Sequence, residues 1–207
     1  MKVEEIFFRD VYRQICLLRG KKIVSEVDPN KMFDFPPDEK FDGLLTYGCI
    51  SGEAFVFEIL AGVQISGNRI RMFPLQYKKS VQLKRGQVED ADIKIVTEEY
   101  SLPFRDKIQI IDDRISVGDA REQTRLIKNL DAFRHPHYPD DVAVYFLADE
   151  SEPEQMWVRC RSIDENILTG ELLNEPTQNF NLQAGDLIKF GVAQVNGQDI
   201  LIWLPTN

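Results

Sequence analysis

The chain has 207 residues, and 25 Lys and Arg against 34 Asp and Glu give it a formal charge of −9. Apolar residues make up 43%, too many for a disordered chain, and no run is long enough to span a bilayer. A sequence pI near 4.8 argues against a general binder of nucleic acid or acidic membrane, because phosphate attraction needs net positive surface.

In the first segment Val3, Ile6, Phe7, Val11, Ile15 and Leu18 fall at mostly helical spacings, with Gly20 as a helix stop. A strand over Ile6–Tyr12 fits as well. Lys22–Val27 reads as a strand. Asp28-Pro29-Asn30 and Pro36-Pro37-Asp38 supply turn chemistry around a loop from Asn30 to Lys40. From Phe41 to Val96 the pattern is β. Leu44–Ile50 and Ala54–Leu60 flank a Ser51-Gly52 turn. Gly67-Asn68 precedes Arg69–Phe73, where Ile70 and Met72 lie on one face and Arg69, Arg71 and Phe73 on the other. Val81–Leu83 and Ile93–Val96 complete this half, and Pro103 and Asp112-Asp113 mark breaks.

Asp119–Phe133 reads as the clearest helix, with Asp119 at the N-cap and Glu122 three residues on in a capping-box-like pair. His135-Pro136-His137-Tyr138-Pro139 must be non-helical, since each proline biases its predecessor to extended geometry. A second β unit follows. Its strands are Val142–Leu147, Gln155–Ile163, Ile167–Leu173 with Gly170 as a bulge or close approach, and a Leu187–Val195/Ile200–Leu204 hairpin around Asn196-Gly197. The form apolar-x-x-Gly-polar recurs at Leu83–Gln87, Ile115–Asp119 and Leu182–Asp186. A duplicated β unit would explain it; the general need of small β units for a Gly turn explains it more simply.

The expected fold is therefore α+β and β-rich, with two small β units, barrel-like or bent antiparallel sheets, joined by a helix. The expected layout is an N-terminal unit over 1–118, a connecting helix and Pro-rich linker over 119–140, and a C-terminal unit over 141–207 that packs on the first. Cys16, Cys49 and Cys160 are an odd number without a CxxC pair, and the N-terminus lacks the apolar core of a signal peptide. Both features point to a soluble cytoplasmic protein.

The stretch Met156-Trp157-Val158-Arg159, then Thr169-Gly170-Glu171-Leu172-Leu173-Asn174-Glu175-Pro176, Leu182–Phe190 and Ile202-Trp203 resembles the YegJ-like family of domains of unknown function, DUF family 2314. The shared pattern is a Trp-Val strand, a Gly-x-Leu-x-Asn-x-Pro strand end, a Leu-x-x-Gly-Asp turn and a closing Trp. It covers about 50 residues, and Ile202 stands where the family usually has Asp. The resemblance implies a small α+β or β fold and no agreed activity; residues 1–120 carry no such resemblance.

Candidate site residues are few. His135 and His137, two apart and followed by Asp140 and Asp141, are the candidates for a divalent metal or a base–carboxylate pair. A proline-stiffened linker after a helix end, where His suits the dipole, is the simpler reading. Arg69, Arg71, Tyr77, Lys78, Lys79, Lys84 and Arg85, interleaved with Phe73, form a basic island that resembles a single-strand platform or a patch for an acidic partner. A solvated strand is the simpler reading here too. The cysteines lack a local base, no nucleophile elbow or phosphate loop is present, and no cofactor is implied. The leading expectation is thus a non-catalytic module that binds another protein, an accessory of the immunity-protein kind. The alternatives are a metal-assisted hydrolase using His135, His137, Asp140 and Asp141, and a nucleic-acid-binding barrel.

Overall fold

Strands whose residues are apolar at every position need cover on both faces, and the N-terminal half is built on that requirement. The computed structural model describes residues 1–21, 23, 27–36, 39–67, 69–76, 80–147 and 152–205. It divides into two units, Met1–Ser116 and Val117–Asn207.

The first unit is one antiparallel sheet. Its strands are β1 (Ile15–Arg19), β2 (Gly43–Ser51), β3 (Ala54–Ser66), β4 (Arg69–Pro74), β5 (Gln82–Lys84) and β6 (Asp92–Ile95), in the order β4-β3-β2-β1-β6, with β5 also paired to β3. One face packs Leu18, Leu44, Phe55 and Phe57 against Val3, Phe8, Val11 and Phe33. These come from an N-terminal 3-10 turn (Val3–Glu5), α1 (Phe8–Val11) and the residue closing α2 (Pro29–Met32). The other face packs Leu17, Leu45, Val56 and Leu60 under α3 (Arg105–Ile115), through Ile111 and Ile115. Ile70 and Met72 join this second face while Phe73 joins the first, as their alternation requires.

Two expectations change here. The helix over Val3–Leu18 is instead a 3-10 turn, one turn of α-helix and strand β1, separated by Arg13 at φ 56°. Ile15 to Leu18 are all buried because β1 lies between β2 and β6. Asp112-Asp113 is no break but sits inside α3. The strand expected over Lys22–Val27 falls mostly outside the described residues, as do Pro37, Asp38 and Asn68 of the expected turns.

The second unit is a closed five-stranded barrel. Its strands are β7 (Asp141–Phe146), β8 (Glu154–Asp164), β9 (Ile167–Leu172), β10 (Leu187–Val195) and β11 (Gln198–Leu204), in the order β10-β11-β7-β8-β9. All pairs are antiparallel except β11 with β7. Asn196 and Gly197 both have positive φ, 52° and 78°, as a type I′ turn needs. The interior holds Phe146, Phe190, Val158, Leu168 and Leu201, with Trp203 stacked on Phe146 at 5.4 Å.

Asp119–Phe133 is not one helix. α4 covers Asp119–Arg125 after Gly118, whose φ is 85° at the N-cap, and a 3-10 stretch covers Lys128–Phe133. Asp119 is therefore the first helical residue rather than the cap. Leu130 enters the barrel core, with Ile127 and Phe133 packed against it. The segment 119–140 lies within the second unit. An open sheet and a closed barrel differ in topology, and Gly86 sits in a 3-10 turn while Gly118 and Gly185 have positive φ. The recurrent glycine form thus marks no shared turn. No helix among the described residues is long and apolar enough to cross a membrane.

Candidate functional site

The histidine–aspartate cluster is a structural joint. His135 Nδ1 accepts from the backbone N–H of His137 at 3.1 Å and of Tyr138 at 3.3 Å, which folds the proline-rich segment into a tight turn. The His135 ring lies edge-on to Trp157 at 5.0 Å. Its pKa is lowered by burial first and by neighbouring His137 second. Asp140, buried, takes two N–H groups of the wholly buried Arg125, at 2.9 and 2.7 Å. Asp141 takes two from Arg159, at 2.7 and 3.0 Å. Arg134 donates to the carbonyls of Pro139 and Thr124 and lies 3.8 Å from Asp131. Both candidate carboxylates therefore face a guanidinium fork, and one His135 nitrogen is already used. Among the described residues no group of three or more His, Cys, Asp or Glu side chains could hold a metal ion.

The basic island is not assembled. Arg85 is buried and donates to the carbonyls of Val3 and Ile6, at 2.9 and 2.5 Å, so its charge anchors the N-terminal segment. Arg71 is held by both oxygens of Glu39 and lies over the Phe73 ring. Arg69 and Lys84 are exposed at separate strand ends, and Tyr77, Lys78 and Lys79 lie outside the described residues. Cys16, Cys49 and Cys160 are buried free thiols, and burial pushes each pKa up to about 12. A thiol protonated at neutral pH is a poor nucleophile.

The residues of the Trp-Val, Asn-x-Pro and Gly-Asp pattern also serve the fold. Asn174 Oδ1 accepts from the Trp157 N–H at 2.8 Å, and Asp186 Oδ2 from the Gln183 N–H at 2.9 Å. Gly185, at φ 94°, donates its N–H to the Leu172 carbonyl at 2.7 Å.

What the barrel leaves outside is less ordinary. Leu201 and Trp203 point inward, so Ile200, Ile202 and Leu204 point outward, although antiparallel strands usually turn polar residues to water. Ile202 lies beside Gly191 on one side and Tyr145 on the other. Ala193 pairs with Ile200, and Ile167, Leu187 and Val195 are 43%, 69% and 45% exposed on β9 and β10. The result is an apolar strip of half-buried and exposed residues over β7, β10 and β11 with Ile167 at the start of β9, interrupted by Lys189, which faces outward between Leu187 and Gly191, while Leu187 pairs with Glu171. Asp164, Glu165 and Asp186 stand at the turns that precede β9 and β10, and Asp199 near the start of β11. Residues 117–207 contain 15 acidic and 7 basic residues, while 1–116 contain 19 and 18, so nearly the whole net charge belongs to the barrel. Arg125, Arg134, Arg159 and Arg161 are already paired with carboxylates. Sequence reasoning passed over this strip, yet its signal was present: Ile200-Leu201-Ile202-Trp203-Leu204 is apolar at both parities.

Residues 120–203 match the family model described as an uncharacterized protein conserved in bacteria, DUF2314; the N-terminal part has no family match. No curated protein and no solved structure matches the chain.

Proposed function

We propose that the protein is a non-catalytic accessory module whose barrel holds a basic partner protein. The observation that carries this reading is the apolar strip on the outside of β9, β10 and β11, bordered by acidic turns. Burying such a strip supplies association free energy, and the unneutralised carboxylates around it select a positively charged partner and speed the encounter. A hydrolase built on His135, His137, Asp140 and Asp141 finds its carboxylates engaged by arginines. A nucleic-acid platform finds Arg85 buried and Arg71 tied to Glu39. Buried free thiols suit a reducing compartment. The narrower form of the reading is an immunity-type role, in which the partner is an enzyme silenced by the contact.

The test is retention of a native partner by tagged wild-type protein and by the outward-facing variant L187E/I202E. Wild type should hold one basic protein in stoichiometric amount and block its activity, while the variant loses it with unchanged thermal unfolding. No stoichiometric partner on the wild type, or equal retention by the variant, overturns the proposal.

A further inference from the structure

The sheet of the first unit has one place where its order breaks. β3 pairs with β5 over Val56–Glu58 and with β4 over Ala61–Ser66, so Ile59 and Leu60 fall between two partner strands. On the other side of β3 the register with β2 shifts between Leu45 and Thr46, which makes Leu60 the additional residue of a bulge. A change of partner beside a bulge leaves main-chain groups to be satisfied outside the ladder. The Ile59 N–H donates to the Val81 carbonyl at 2.8 Å, and the Ile59 carbonyl accepts from Lys107 Nζ at 2.7 Å.

A cleft of about 460 Å³ opens over this break, within the size range of small-ligand sites. Its apolar lining comes from Leu60, Pro74, Leu75, Phe104, Ile110 and Ile111. Ile110, at the rim, is 66% exposed, which a solvated helix face does not call for. Among the described residues three charged side chains also line the cleft. Glu58 is 1% exposed and accepts from Arg114 Nη2 and from Gln82 Nε2, each at 2.9 Å. Lys107 and Arg114, seven residues apart on α3, lie on one helix face two turns from each other. Burial lowers the Lys107 pKa, with Glu58 opposing the shift.

The charges here do not cancel. Among the described residues two cations meet one carboxylate, an excess of one positive charge, with Lys107 half-buried and Arg114 42% exposed at the mouth of the cleft. Donors are also in excess. Among the described residues, Lys107 uses one of its three N–H groups on Ile59, and Arg114 one of its five on Glu58. A cation would be repelled by this set, and a neutral apolar molecule would leave the donors unanswered.

We propose that this cleft binds a small monoanion with an apolar body, a medium-chain or aryl-substituted carboxylate, its headgroup taken by the remaining donors of Lys107 and Arg114 and its hydrocarbon laid against Leu60, Leu75 and Phe104. Glu58 is a positioning residue, since it fixes Arg114 without touching the ligand. The site lies wholly in the first unit, so its failure would leave the barrel reading untouched.

Calorimetric titration of the full chain with octanoate, 3-phenylpropanoate and octanol tests the proposal. One carboxylate at least should bind saturably at a ratio of one to one, and the tighter of the two gives the shape of the body. Octanol should bind about tenfold more weakly or worse, a difference of about 1.4 kcal/mol. Lys107→Met should weaken carboxylate binding by a similar factor. Because Lys107 also caps Ile59, the second variant is Ile110→Glu, which sets an anion at the exposed rim and should weaken binding without moving the thermal transition. No saturable carboxylate binding at millimolar concentration, octanol binding as tight as octanoate, or full affinity in Ile110→Glu overturns it.

Discussion

Arg125 and Asp140 meet in a two-point ion pair from which water is excluded, with Nε donating to Oδ1 at 2.9 Å and Nη2 to Oδ2 at 2.7 Å. The pair links α4 to the residue just before β7, and Glu122 adds a third contact to the guanidinium at 3.1 Å. Removing one partner strands the other charge without water. Arg125→Met or Asp140→Asn should each cost about 3–5 kcal/mol in denaturant unfolding. Replacing both at once, as R125M/D140L, should cost clearly less than the two single losses together, because no buried charge is then left alone. A double variant at the full sum would mean that the two residues act independently.

Arg85 separates a surface role from a structural one. Its guanidinium donates to the carbonyls of Val3 and Ile6, at 2.9 and 2.5 Å, and burial lowers its pKa. Arg85→Met leaves two buried acceptors unmatched at about 1–3 kcal/mol each, so a loss of about 2 kcal/mol or more is expected. The loss should come with faster amide exchange over Val3–Ile6. Lys84→Met, next in sequence but exposed, should change stability little. Equal effects from the two would return Arg85 to the surface.

Apart from β1, the strands of both units were legible because turn residues bound them: Ser51-Gly52, Asn196-Gly197 and Pro74 all fall where chain reversals or strand ends occur. The α+β class followed from the same signals. α3 was missed because Asp112-Asp113 looked like a loop, although Phe104, Ile108, Ile111 and Ile115 carry a helical period. Asp112 is tolerated there because Tyr47 reaches it with a hydroxyl at 2.9 Å. β1 was hidden by a spacing that ran through three elements as if they were one. The candidate site was less legible still. Whether Asp140 is a ligand or half of an ion pair depends on Arg125, fifteen residues earlier, and no local pattern tells a guanidinium fork from open solvent. Nor does spacing along the chain show that Lys107 closes a gap left by a bulge at Leu60.

His135 makes the joint at 135–139 sensitive to pH. Its Nδ1 must be unprotonated to accept from His137 and Tyr138, and its pKa lies below the ordinary 6.5. The unfolded chain therefore takes up this proton first as pH falls. The contribution of His135 is fully present above about 6.5 and is lost as pH drops through that value toward the folded one. Protection of the His137 and Tyr138 amides, taken relative to their intrinsic exchange rate at each pH, should fall over that window. His135→Asn keeps an acceptor in nearly the same place and should flatten the profile. A His135 pKa above 6.5 by NMR titration would remove the basis for this expectation.

Gly170 occupies a place where no side chain fits. A Cβ there would lie 2.5 Å from Val158 Cγ1, 2.8 Å from the Arg159 carbonyl oxygen and 3.0 Å from Phe190. β9 crosses β8 at this point beside the register shift between Cys160 and Ser162, so the backbones approach closely on the inner side of the barrel. Val158 could turn its methyl away, but the carbonyl of Arg159 cannot move without opening the β8–β9 ladder. Gly170→Ala should thus destabilise the barrel by about 1–3 kcal/mol, the range for overpacking a filled core. Gly191→Ala is the comparison. Its Cβ would meet only Asn166 O at 3.6 Å and Leu204 Cδ1 at 3.7 Å, ordinary contacts on the outer strip. Denaturant midpoints for the two variants should therefore separate clearly, and coincident midpoints would mean that the β8–β9 contact yields more easily than its geometry implies.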